Sequence, residues 1–250
     1  MDNNFSDSPS EGSAVHPTGY LVPVYAAHTD QTDTKLTIST TLALAKAAAA
    51  RGETVLMLDM LGGALMKQSG IITGVSLSDV LYNDADIRDA KYISHNEHFT
   101  ATFGNPSDLD ALLGSLAALS LNYDWVFVAT ESGCTPAHVK LASAADTALL
   151  GFTSNGDRFM RAYWMLDAIR SRAPKFDPLI LVQGEEFESF ETYDMFASTV
   201  REFLGAPPAL GGILETLSDV TDIAPTLLES LRQEVIGNAA QYNTAKSAVS

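Results

Sequence analysis

HTDQTDTKLT, residues 28–37, lies between an apolar run, LVPVYAA (21–27), and a long Ala/Thr/Leu run, ISTTLALAKAAAARG (38–52). Strand, loop and helix in that order, with Lys35 at the helix entrance, form the frame of a phosphate-binding site. The contents of the loop oppose that use. It has no glycine, and it carries Asp30 and Asp33. Phosphate cradles are built from backbone N–H groups that glycines allow close to the ligand. Carboxylates repel the same ligand, so the frame and its filling give opposite signals.

The chain has 250 residues, 46% hydrophobic and 18% charged, enough for a full core in one α/β domain. Its net charge of −16 argues against binding nucleic acid or anionic lipid through a broad basic surface. One cysteine, Cys134, allows no internal disulfide; it is expected to be buried and inert, in a reducing compartment. No apolar stretch has the length of a membrane span. The first residues, MDNNFSDSPSEGSAVHPTG, are polar and acidic and lack the basic and apolar parts of a signal peptide. Residues 1–18 read as a disordered tail, and the protein as cytoplasmic.

Strand-length apolar runs occur at 21–27, 54–60, 99–104, 125–130, 147–153, 179–184 and 210–215. Most are continuous rather than alternating, as expected where both faces of a sheet are covered. Helices are expected at 37–51, 76–82, 86–92, 106–120, 135–145, 156–172 and 190–204. Gly52 and Gly205 follow two of them as C-terminal caps. Ser107 with Asp110 resembles an N-terminal capping pattern. The alternation predicts a doubly wound, mostly parallel sheet flanked by helices, with any ligand at the C-terminal ends of the strands. A last helix, about 219–236, is appended to a single domain over 19–236, and 237–250 reads as a polar tail.

The order and spacing of these pieces resemble the MinD/ParA group of P-loop ATPases, which includes the flagellar regulator FlhG and the pilus protein CpaE/TadZ. Members read KGGVGKTT at the loop, then a helix, a strand ending in D-x-D, and later YD before an apolar strand ending in D-x-P-x-G. Here the corresponding stretches are DQTDTKLT (30–37), ISTTLALAKAAAARGETVLMLDML (38–61) and YDWVFVATESG (123–133). AADTALLGFTSNGDRFMRAYWMLDAI (144–169), REFLGAPPALGGILE (201–215) and GVSLSDVLYNDADIRDA (74–90) resemble further family segments, so the likeness spans residues 20–215.

The resemblance places the family's glycines on Gln31, Thr32 and Thr34, and the lysine that reaches across a dimer on Asp30. The principal lysine is Lys35. The hydroxyl that ligates Mg²⁺ falls on Leu36, leaving only Thr37. The first D-x-D aspartate is Asp59, and the second falls on Leu61. The aspartate ending the YD strand falls on Ala129, with Glu131 and Ser132 beside it, while Gly133 is retained. The adenine-reading asparagine becomes Gln183 or is shifted. Phosphoryl transfer is mostly positioning and charge neutralisation, so these changes remove its working parts. Asp30, Asp33, Asp59 and Glu131 are expected to face the pocket with Lys35 as the only cation near them. One like-charge contact at about 4 Å costs roughly 4 kcal/mol at an effective dielectric near 20, before screening. Lys35 is expected to pair with Asp59 or Asp33. A divalent cation held by the acids, or aspartates that simply cap the helix, are the other readings of the cluster.

Five histidines, 16, 28, 95, 98 and 138, show no metal-site spacing and are read as surface residues. The terminal helix carries Leu227, Leu228, Leu231 and Val235 on one stripe, with Glu229 and Glu234 against Arg232. That balance suits packing on the domain better than a membrane surface. The resemblance thus implies a pseudo-ATPase without cofactor, a scaffold or regulator of a cell-envelope, polar, flagellar, pilus or polysaccharide-export machine. Its partner would be a protein, such as an active paralogue or an inner-membrane protein, and a homodimer is compatible. The alternatives are a non-kinase partner or degenerate autokinase of exopolysaccharide synthesis, or an ATPase that binds ATP/ADP with Mg through Lys35 and Asp59. FGNPSDLDALLGS (103–115) resembles the autokinase segment, but Tyr242 stands alone in the C-terminal tail.

Overall fold

A computed structural model describes residues 19–71, 74–94 and 99–249, with side chains at 115–119 and from 238 onward left aside. The expected tail, residues 1–18, and the histidines at 16, 95 and 98 lie outside the described residues. The strands are β1 (Tyr20–Ala26), β2 (Val55–Asp59), β3 (Tyr92–Ile93), β4 (Thr100–Phe103), β5 (Trp125–Thr130), β6 (Leu149–Thr153), β7 (Leu179–Gln183) and β8 (Leu210–Leu214). They form one sheet in the order β3-β4-β2-β5-β1-β6-β7-β8. Every pairing is parallel except β3 with β4.

The helices are α1 (Gln31–Ala50), α2 (Ala64–Gln68), α3 (Leu77–Tyr82), α4 (Leu109–Ser120), α5 (Pro136–Ala144), α6 (Arg158–Arg170), α7 (Glu186–Phe203) and α8 (Asp219–Val249). The continuous apolar strands are explained by two cores. Val22, Val24, Met57 and Phe127 face one side, where α1 and α8 pack. Leu21, Tyr25, Leu58 and Val128 face the other, under α4 to α7. Trp125 stacks on Phe127 with ring centroids 5.5 Å apart and donates its indole N–H to Glu53 at 3.0 Å. Arg232 of α8 pairs with Glu53 and lies over the Trp125 ring, tying α8 to the sheet. The stripe of Leu227, Leu228, Leu231 and Val235 is buried on the domain, as expected.

Several boundaries differ from expectation. α1 begins at Gln31, not 37, so the would-be phosphate loop is already helix. Residues 86–92 are not helical. The Asp86 side chain accepts the Arg88 backbone N–H at 2.8 Å, a local bond that competes with helix, and Tyr92–Ile93 pairs with β4 instead. The cap before α4 lies two residues earlier than expected, with the Asn105 N–H on Asp108 at 2.8 Å. The true capping box at Ser76 and Asp79 opens α3. α8 does not stop near 236 but continues to Val249. No described helix is long and apolar enough to cross a membrane.

Candidate functional site

The C-terminal end of β1 runs into residues 28–30, and β1 sits between β5 and β6 at the centre of the sheet. This is where a doubly wound fold places its ligand. Asp30 is the N-cap of α1. Its carboxylate accepts the backbone N–H of Thr32 at 3.1 Å and of Asp33 at 3.0 Å. The Asp30 carbonyl takes the N–H of Thr34 at 3.1 Å, and His28 Nδ1 takes that of Asp30, also at 3.1 Å. Thus four of the five N–H groups over residues 30–34 bond within the chain itself. A helix N-terminus attracts an anion through such groups. Here the anion is the chain's own side chain.

Arg158, at the start of α6, completes the arrangement. Its guanidinium pairs with Asp30 and approaches Asp33 at 3.7 Å. The bond from Arg158 holds the Asp30 carboxyl below its usual range. Asp33 is fully buried, and its oxygens have no hydrogen-bond partner of good geometry among the described residues. Burial pushes its carboxyl up to about 6, against the pull of Arg158. The cation near the loop acids is therefore Arg158 rather than Lys35. Lys35 is exposed and makes no ion pair among the described residues, so the expected pairs with Asp59 or Asp33 do not form. Nothing in the sequence pattern singled out Arg158, since its contact joins residues 128 positions apart.

Asp59 has turned away from the loop. It accepts the N–H of Leu61 and of Met66, each at 2.9 Å, and so caps α2. Burial raises its carboxyl, and the N–H groups of Met66 and Leu61 oppose that rise. Leu36, at the family's Mg²⁺-ligating position, is buried against β6: a Cβ on Gly151 would lie 2.9 Å from its Cδ2. The Thr37 hydroxyl is buried and has no hydrogen-bond partner among the described residues. Ala129 is buried at the end of β5. A cleft of about 230 Å³ remains beside the loop, lined by Thr29, Thr34, Leu61, Gly62, Pro106 and Glu131. Of the four acids expected there, only Glu131 lines it. Gln31 and Thr32 are exposed on the first turn of α1. These residues do not fit a nucleotide with Mg²⁺: the N–H donors are used and the metal-side hydroxyl is a buried leucine. No group of three or more His, Cys, Asp or Glu with metal-site geometry occurs among the described residues.

Two other expectations fail nearby. His138 is buried, not a surface residue; its Nδ1 lies 2.7 Å from the Thr135 hydroxyl, and burial lowers its pKa. Gly133 owes its size to this ring, because a Cβ there would sit 2.7 Å from His138 Cε1. Cys134 is exposed rather than buried, in a second cleft over α6.

No protein-family model matches the sequence, and no curated protein sequence does either. Solved structures do match. Cobyrinic acid a,c-diamide synthase from Mycobacterium smegmatis, with bound ADP and magnesium, superposes with a TM-score of 0.64 at 16% identity, over 86% of this chain and 94% of its own. MinD cell division protein from Aquifex aeolicus gives 0.61 at 16%, over 88% and 98%. Apo McdA from Cyanthece gives 0.66 at 12%, over 86% and 99%. The chain therefore carries the fold of the MinD/ParA group of P-loop ATPases.

Proposed function

We infer that this chain is a pseudo-ATPase, a protein-binding scaffold or regulator that works without nucleotide. The observation that carries the reading is the Asp30 carboxylate on the Thr32 and Asp33 N–H groups, held there by Arg158. A phosphate entering the loop would have to displace a tethered carboxylate already in the cradle, and it would meet Asp33 behind it. Hydrolysis through Lys35 and Asp59 is disfavoured because Asp59 is committed to capping α2. A protein partner is supported by the MinC:MinD complex of Aquifex aeolicus, a structure of the same fold at TM-score 0.59. The net charge of −16 opposes nucleic acid as the partner. Positioning or assembly of a cell-envelope, polar or export machine in the cytoplasm, through an active paralogue or an inner-membrane protein, is the role this reading assigns.

Phosphate release from Mg·ATP and Mg·GTP is expected to equal the buffer blank, and Lys35→Ala is expected to change nothing. Turnover above blank that Lys35→Ala abolishes would overturn the assignment.

A further inference from the structure

The second cleft, about 280 Å³, opens at the same end of the sheet as the loop but on the α5–α6 side. Trp164, Arg161 and Met165 of α6 form one wall, and Ser132, Gly133 and Cys134 form the other. Its walls are pinned. The Ser132 hydroxyl donates to the Ala27 carbonyl at 2.8 Å, and Arg172 donates to the Cys134 carbonyl at 3.3 Å. Trp164 is 50% exposed, which is unusual for a large aromatic, and the Arg161 guanidinium lies 5.4 Å from its ring centre. The only ion pair of Arg161 among the described residues is a loose one with exposed Asp157 at 4.0 Å. Arg161 is the one Lys or Arg that lines the cleft and Arg172 reaches the Cys134 carbonyl at its edge, so a cation stands beside an exposed aromatic ring on a strongly acidic protein.

The neighbouring helix offers the complement. Residues 185–194, EEFESFETYD, hold five acids and no base. None of the five has an ion-pair partner among the described residues. Phe187 and Phe190 stand among them at 66% and 47% exposure. The Thr192 hydroxyl bonds the Ser154 carbonyl just past the end of β6. The start of α7 therefore lies at the C-terminal end of the sheet, with Ser189 buried and Glu186, Phe187, Glu188 and Phe190 exposed. No residue of α7 lines the cleft of its own chain.

We propose that the Trp164/Arg161 cleft is a socket for the acidic, aromatic start of α7, Glu185–Phe190, of a second copy of this chain. The socket and the exposed start of α7 lie at one end of the sheet on adjacent packed helices. One two-fold axis can therefore form both contacts at once, as an isologous dimer requires. Phe187 and Phe190 meet Trp164 and Met165, and Glu186 and Glu188 meet Arg161 and Arg172. Buried aromatic and arginine anchors of this type carry most of the energy of an interface. Neither patch uses the acids or N–H groups of the loop, so the proposal does not rest on the nucleotide reading.

The test is sedimentation velocity of the full chain across low to high micromolar concentration, with and without Mg·ATP. A dimer without nucleotide is expected. Arg161→Glu should weaken it about tenfold or more, and the double variant Glu186→Arg/Glu188→Arg should do the same. All three positions are exposed, and mixing the two variants checks that they remain folded. In the mixed dimer one contact is charge-swapped and the other native, so association is expected to return. A monomer at every concentration, a dimer indifferent to both variants, or a mixture that fails to associate would overturn the proposal and leave the nucleotide-free reading standing. A dimer that appears only with Mg·ATP would overturn both.

Discussion

Arg158→Met is expected to destabilise the fold by about 3 kcal/mol at neutral pH, because removing one partner of a buried ion pair strands the other charge. Asp33 is fully buried and has Arg158 as its only ion-pair partner among the described residues. The effect should depend on pH. The Asp33 carboxyl is raised from an ordinary 3.8 to about 6 in the folded protein. The folded state then binds its proton more tightly than the unfolded chain. The contribution of Asp33 to stability is therefore fully favourable below about pH 4, falls as pH rises to about 6, and stays as a penalty above that. Arg158 offsets the penalty. Near pH 5 Asp33 is largely protonated, and the cost of Arg158→Met should shrink to about 1 kcal/mol or less, the part owed to half-exposed Asp30. Urea unfolding of both proteins at the two pH values measures this. An equal loss at both would mean that Asp33 is not the group Arg158 compensates.

Leu231→Ala is expected to cost about 3 kcal/mol, within the range for a fully buried leucine. Leu231 belongs to the α8 stripe packed on α1, and the polar side of α8 is also engaged. Arg51 donates to the Pro225 carbonyl at 2.9 Å and pairs with Glu229 at 3.4 Å. A loss below about 1 kcal/mol in chemical denaturation would show that α8 is not part of the cooperative domain. Its apolar face would then be available to a membrane or a partner.

The fold was legible because the strands are buried on both faces. Runs such as WVFVAT and LILVQ have the length and continuous apolar character of strands covered on both faces, and their spacing leaves room for one helix each. The elements that escaped are short or edge-bound. β3 is two residues, held by Tyr92, whose hydroxyl bonds the Val75 carbonyl at 2.9 Å, a contact no periodicity announces. The site was half legible. The absence of glycine was plain from the loop itself, and the leucine at the Mg²⁺ position from the resemblance. Of what the loop does instead, helix capping by an aspartate was among the readings and holds for Asp30, whereas the bridge from Arg158 had no signal. Asp30 works as a cap because α1 starts at Gln31 rather than at 37, where the apolar run placed it, and Asp33 is tolerated because Arg158 arrives from α6. Both facts depend on which residues share the end of the sheet. His138 illustrates the same limit: only packing shows that Gly133 makes room for its ring.

Whether the loop is closed to phosphate is decided by calorimetric titration of the folded wild-type protein with Mg·ATP and Mg·ADP, beside a thermal-unfolding series. With the Asp30 carboxylate in the cradle, no saturable heat and no rise in Tm are expected at millimolar nucleotide. A ligand that binds only the folded state at 100 times its Kd adds about 2.7 kcal/mol of stability. Saturable heat together with a rise in Tm would contradict the pseudo-ATPase reading and return Lys35 to the role of a phosphate ligand.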